Sequence, residues 1–124
     1  MNFEESKAIY LQIADRICDD IVNGVYSEDG RLPSVREMAS SLQVNANTVM
    51  RSYERLQQKE LITNKRGIGF FVASGAKLKI IGERGRLLID SQLDSLFALM
   101  MQMGITPDDL KASYSEYLKK HSPL

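Results

Sequence analysis

Hydrophobic positions fall into a series of stripes whose spacing changes along the chain. Ile9, Ile13, Ile17 and Ile21 recur every fourth residue, with Tyr10, Ala14 and Cys18 widening the stripe, which predicts a helix over about residues 6–23 stopped by a left-handed Gly24. Ser27-Glu28-Asp29-Gly30 then reads as a turn in which Gly30 takes positive φ. Val35, Met38, Ala39 and Leu42 share one face of a second helix, and Ser34 followed by Glu37, just after Pro33, has the pattern of a capping box. That helix starts at Ser34. The break Gln43-Val44-Asn45 offers a further N-cap in Asn45, after which Val49, Ser52, Tyr53 and Leu56 gather on one side of a third helix. Two short helices joined by a tight turn result.

The period then shortens. Leu61-Ile62-Thr63 and Phe70-Phe71-Val72-Ala73 are β-prone runs flanking Asn64-Lys65-Arg66-Gly67-Ile68-Gly69, the pattern of a hairpin with a basic tip. Ser74-Gly75-Ala76-Lys77 marks a boundary, dividing the chain into residues 1–75 and 76–124. Gly82 and Gly85 each weaken a helix by roughly 1 kcal/mol relative to Ala, so the next helix is expected only from about Arg86. Ile89, Leu93, Leu96, Phe97 and Met100 form its stripe, and Gly104 ends it. Thr106-Pro107-Asp108-Asp109 starts a last helix, with Leu110, Tyr114, Tyr117 and Leu118 on one face, before the chain frays at His121-Ser122-Pro123-Leu124.

A chain of 124 residues makes one domain, or one small domain with an appendage. Its net charge is +0, but the distribution is uneven: residues 1–30 carry two basic and seven acidic side chains, residues 31–66 seven basic and three acidic. The basic surplus falls on the two short helices and the hairpin. Asn47, Thr48, Arg51 and Arg55 line the polar side of the third helix, and those residue types suit a helix in the DNA major groove: Asn pairs with adenine, Arg with guanine or phosphate, Thr with phosphate or a thymine methyl. A solvated helix face has the same composition, so the pattern alone leaves both readings open. Arg31, Lys65 and Arg66 can reach phosphate or stand in solvent.

Other chemistry is poorly represented. Cys18 has no partner for an internal disulfide and reads as a packing residue. His121 is the one histidine, no paired Cys or His has metal-ligand spacing, and Gly67-x-Gly69 lacks the rest of a nucleotide fingerprint. Neither enzyme, cofactor nor metal is expected. The acidic opening segment is unlike a secretion signal and no apolar run approaches bilayer length, so a cytoplasmic location and no membrane partner are expected.

Ile9-Tyr10-Leu11-Gln12-Ile13, Gly24, Gly30, Leu32-Pro33-Ser34-Val35-Arg36-Glu37-Met38-Ala39, Val44-Asn45-Ala46-Asn47-Thr48-Val49 and Arg66-Gly67-Ile68-Gly69-Phe70-Phe71-Val72 occur in an order that resembles the winged-helix domain of GntR-type transcription regulators. The short remainder resembles the YtrA-like subfamily, whose members carry a small helical dimerisation tail. The resemblance implies a mostly α fold with a small β-hairpin wing, a winged helix-turn-helix followed by a two-helix tail. It implies a homodimeric regulator, a repressor, on a palindromic double-stranded DNA operator. The DNA-binding set would be Arg31, Ser34, Arg36, Asn45, Asn47, Thr48, Arg51, Arg55, Lys65, Arg66, Gly67 and Gly69, with Arg36 matching the arginine of the family's Pro-Ser-Val-Arg-Glu motif. Family members often carry arginine where this chain has Ala46 and Met50, which shifts expected readout onto Asn47, Thr48 and Arg51. The dimer interface would comprise Ile89, Leu93, Leu96, Phe97, Met100, Tyr114, Tyr117 and Leu118. Operator sequence, regulated genes and any small-molecule effector are not specified by the sequence, and a winged-helix protein-interaction module is the alternative reading.

Overall fold

The isoleucine repeat forms α1 (Ile9–Val22), which buries Ile13, Ala14, Ile17, Cys18 and Ile21 on one side. Ile9, by contrast, is 44% exposed at the first position of α1. The computed structural model describes residue 3 and residues 6–122, so Pro123 and Leu124 of the expected frayed end lie outside the described residues. Gly24 stops α1 with φ +81°. In the following turn the left-handed residue is Asp29, at φ +60°, and not Gly30. Gly30 is needed for space: a Cβ there would lie 2.8 Å from the Ser27 carbonyl oxygen.

After α1 come α2 (Val35–Leu42), α3 (Ala46–Gln58) and an antiparallel hairpin of β1 (Ile62–Lys65) and β2 (Gly69–Val72), registered Ile62 against Val72 and Lys65 against Gly69. Gly30 to Leu32 runs beside β2 as a short third extended segment, with Leu32 N–H donating to the Phe70 carbonyl at 2.8 Å and Val72 N–H to the Gly30 carbonyl at 2.9 Å. Tyr53, Val49, Leu56, Leu32, Leu61, Ile62 and Val72 meet the α1 stripe in one core. The fold is thus mostly helical with a two-stranded hairpin, as expected.

The second half begins earlier than its glycines suggest. Helix α4 spans Ala76–Leu87, through both Gly82 and Gly85. Its first turns bury Ala76 and Ile80 in the core, and Lys79–Glu60 and Lys59–Glu83 ion pairs bracket them, which offsets the weak propensity of the glycines. A π-helical turn (Leu88–Gln92) follows, then α5 (Leu93–Met103) and α6 (Pro107–His121). Thr106 caps α6 in a full capping box with Asp109, whose carboxyl those hydrogen bonds hold below its ordinary pKa. The chain forms two compact units, residues 1–83 and 84–124, with the boundary inside α4.

Candidate nucleic-acid interface

Three local devices set the geometry of the first unit's polar face. At the start of α2, Glu37 N–H donates to Ser34 Oγ at 3.1 Å while Ser34 N–H donates to the Glu37 carboxylate at 3.0 Å. That exchange holds the Glu37 carboxyl below its ordinary pKa, the backbone hydrogen bond from Ser34 being the main cause. Between α2 and α3, Gln43 adopts the left-handed conformation at φ +56° and Asn45 Oδ1 accepts the Asn47 N–H at 2.7 Å. Ser34 and Asn45 are therefore occupied as caps. Finally, the buried Tyr53 of α3 donates its hydroxyl hydrogen to the Pro33 carbonyl at 2.6 Å and meets Phe70 of β2 edge to face, 4.9 Å between centroids. Burial pushes the Tyr53 phenol well above its ordinary pKa, so it stays a donor. One side chain ties α3 to the start of α2 and to the hairpin.

These ties bring part of the expected DNA-binding set into one place. Arg31, Ser34 and Arg36, from the approach to α2 and its first turn, line an open cleft of about 390 Å³ with Asn64, Gly67 and Gly69 of the hairpin. Gly67 and Gly69 have φ of +79° and +144°, and a Cβ on Gly69 would stand 3.1 Å from Arg31 Nε. A glycine at this position lets the Arg31 guanidinium lie against the hairpin. The Lys65 ammonium stands over the Phe71 ring of the neighbouring strand, 4.2 Å from its centroid.

On α3, Asn47, Arg51 and Arg55 are exposed and Thr48 is half-buried, while Val49, Ser52, Tyr53 and Leu56 are buried, the division expected from the sequence. Arg51 lies over the Tyr10 ring, 4.0 Å from Cζ to centroid. Arg55 is set apart from the hairpin cleft, lining a smaller hollow of about 150 Å³ with Lys7, Asp15, Cys18 and Lys59. Among the described residues, ion pairs of this unit include Lys7 with Asp15, Arg16 with Asp20, Lys59 with Glu83 and Lys79 with Glu60. None of them involves Arg31, Arg36, Arg51, Arg55, Lys65 or Arg66. Sequence reasoning missed Asn64 in the cleft and Tyr10 beneath Arg51. Asn64 carried no signal beyond its place in a loop, and Tyr10 was absorbed into the α1 stripe.

In the second unit, Ile89, Leu96, Phe97, Tyr114, Tyr117 and Leu118 are exposed, Leu93 is half-buried and Met100 is buried. Phe97, Met100, Met101, Ile105, Pro107 and Leu110 line an apolar hollow of about 430 Å³ at the α5–α6 turn. The Leu93 N–H bonds to the Leu88 carbonyl, five residues back, so the wide turn shifts Ile89 out of the four-residue register that links it to Leu93 in the sequence. Among the described residues no group of His, Cys, Asp or Glu could hold a metal ion, and no helix is long and apolar enough to cross a membrane.

Residues 9–72 match the family described as bacterial regulatory proteins, gntR family. The chain is 36% identical over 108 residues to the HTH-type transcriptional regulator YhcF of Bacillus subtilis, covering 87% of this chain and 88% of that one. It is 33% identical over 91 residues to the HTH-type transcriptional repressor YtrA of the same organism, covering 73% and 69%. A crystal structure of a GntR-family transcriptional regulator from Bacteroides thetaiotaomicron superposes with a TM-score of 0.80 at 53% identity, covering 93% of this chain and 100% of that one.

Proposed function

The chain belongs to the GntR family of bacterial regulatory proteins, a family of DNA-binding transcription regulators and not enzymes, and from that premise we propose a homodimeric repressor acting in the cytoplasm on a palindromic duplex operator. The single observation that carries the DNA reading is the cleft where Arg31 and Arg36 face Asn64, Gly67 and Gly69. Cations from the helix-turn-helix and glycine backbone from the wing can there approach the same stretch of sugar-phosphate. Asn47, Thr48 and Arg51 present donors and acceptors from the first half of α3 to base edges. Arg55, Lys65 and Arg66 supply further phosphate contacts, and Ser34 and Asn45 contribute by capping the two helices that carry the readers. Residues 1–75, with the first turns of α4, bind DNA; the remainder dimerises.

The repressor sign is carried from the similarity to YtrA. The dimer is supported by the exposure of Ile89, Leu96, Phe97, Tyr114, Tyr117 and Leu118 in a unit whose described residues bury little more than Met100. A face of that kind, on the order of 1,000 Å² or more, is what an isologous interface needs. Two copies would read two half-sites and roughly add their energies. The test is selection of bound sequences from a random duplex pool, followed by titration of the recovered duplex against salt. A palindrome preferred by roughly 10³-fold or more over random DNA, with affinity falling steeply as salt rises, is expected. Absence of binding even at ~50 mM salt would overturn the reading.

A further inference from the structure

Tyr10 stands at the second position of α1, outside the residues assigned to DNA, yet its ring supports the Arg51 guanidinium at 4.0 Å. The platform is fixed. Ser52, fully buried and next to Arg51 on α3, donates its hydroxyl hydrogen to the Tyr10 carbonyl at 2.7 Å, joining α1 to α3 at the residue that carries the ring. A guanidinium carries five N–H donors in a planar fork, and placing its central carbon over one ring leaves donors at its rim for a phosphate or guanine. An unsupported arginine on a solvated helix face would lose many rotamers on binding, whereas one already laid along a ring loses few.

We propose that Tyr10 is a positioning residue for DNA recognition, acting through Arg51 by holding its guanidinium extended along the face shared by α1 and α3. The proposal rests on the reading of Arg51 as a DNA contact. Ring and charge make one unit: the ring orders the arginine before DNA arrives, and the arginine makes the contact.

The experiment is a double-mutant cycle in the full chain, measuring affinity for a duplex recovered by selection with the wild-type protein, with thermal melting of each variant as a check on folding. Tyr10→Phe keeps the ring and should bind within about twofold of wild type, while Tyr10→Leu should weaken binding by about 3- to 10-fold, the scale of one side chain left unordered. In an Arg51→Ala background, Tyr10→Leu should change affinity by less than about twofold. A full additional loss in that background would mean that Tyr10 acts by its own contact, and equal losses for Phe and Leu would assign the effect to the hydroxyl; either overturns the proposal. If Arg51→Ala weakens binding but Tyr10→Leu does not, the proposal fails while the DNA reading of Arg51 stands. If Arg51→Ala itself has no effect, that reading fails and takes the proposal with it.

Discussion

Tyr53→Phe removes one oxygen from the centre of the first unit. The Tyr53 side chain is fully buried, and its hydroxyl donates to the Pro33 carbonyl at 2.6 Å, just before the Ser34 cap. The ring and its edge contact with Phe70 at 4.9 Å survive the change, so packing is nearly conserved. What is lost is a neutral hydrogen bond, a net loss of ~1 kcal/mol, to which an unpaired carbonyl can bring the cost to ~1–3 kcal/mol. For a unit of this size each 1 kcal/mol shifts the melting temperature by about 4–8 °C. Thermal melting followed by circular dichroism should therefore fall by several degrees, well short of the drop expected of Tyr53→Ala, which would also empty a core site. Because the bond fixes the start of α2 against α3, affinity for DNA should fall as well, measured where the variant is still fully folded. A melting temperature within about 1 °C of wild type would refute the claim that this hydroxyl ties the two helices together.

Other perturbations follow from the same geometry. A Cβ at Gly82 meets nothing within 4 Å and its φ is not positive, so Gly82→Ala should stabilise α4 by ~0.5–1 kcal/mol, visible as a higher melting temperature. The Glu37 carboxyl has its pKa lowered by the capping box, so its contribution is present above the ordinary value of 4.5 and is lost as pH falls through the folded value; Glu37→Gln should flatten the acid side of the stability profile. A chain ending after Glu83 keeps Ala76 and Ile80 in the core and should remain folded but sediment as a monomer with weak DNA binding, whereas one ending after Gly75 loses both side chains and should melt lower. A dimer surviving removal of residues 84–124 would show that the tail is not the interface.

The elements with strong local signals were legible in the sequence. Both caps of the helix-turn-helix, at Ser34 and Asn45, and the buried face of α3 follow from side-chain chemistry within a few residues. Where tertiary contacts decide, local reasoning stopped short. The start of α4 at Ala76 depends on Ile80 reaching the core and on partners at Glu60 and Lys59, distant in sequence, so propensity at Gly82 and Gly85 gave too late a start. Gly30 illustrates the same limit: its sequence context suggested positive φ, but the requirement is clearance from Ser27. The π-helical turn at Leu88–Gln92 has no composition of its own, so the tail stripe was drawn in straight α-helical register. In the candidate interface the charged residues were visible, while Asn64 in the cleft and the Tyr10 platform under Arg51 emerge only once strands and helices are assembled.

The central claim is that the face built by α2, the first half of α3 and the hairpin meets DNA, and Arg36 tests it most directly because it is exposed, lies in the cleft beside the wing and belongs to none of the ion pairs found among the described residues. Arg36→Ala should leave the melting temperature close to wild type and weaken binding to the selected duplex by ~1–3 kcal/mol if the side chain reaches base edges, with preference relaxed at one symmetric pair of positions. Unchanged affinity for that duplex, in a protein that still melts as wild type, would contradict the account and move the DNA-binding face elsewhere on the fold.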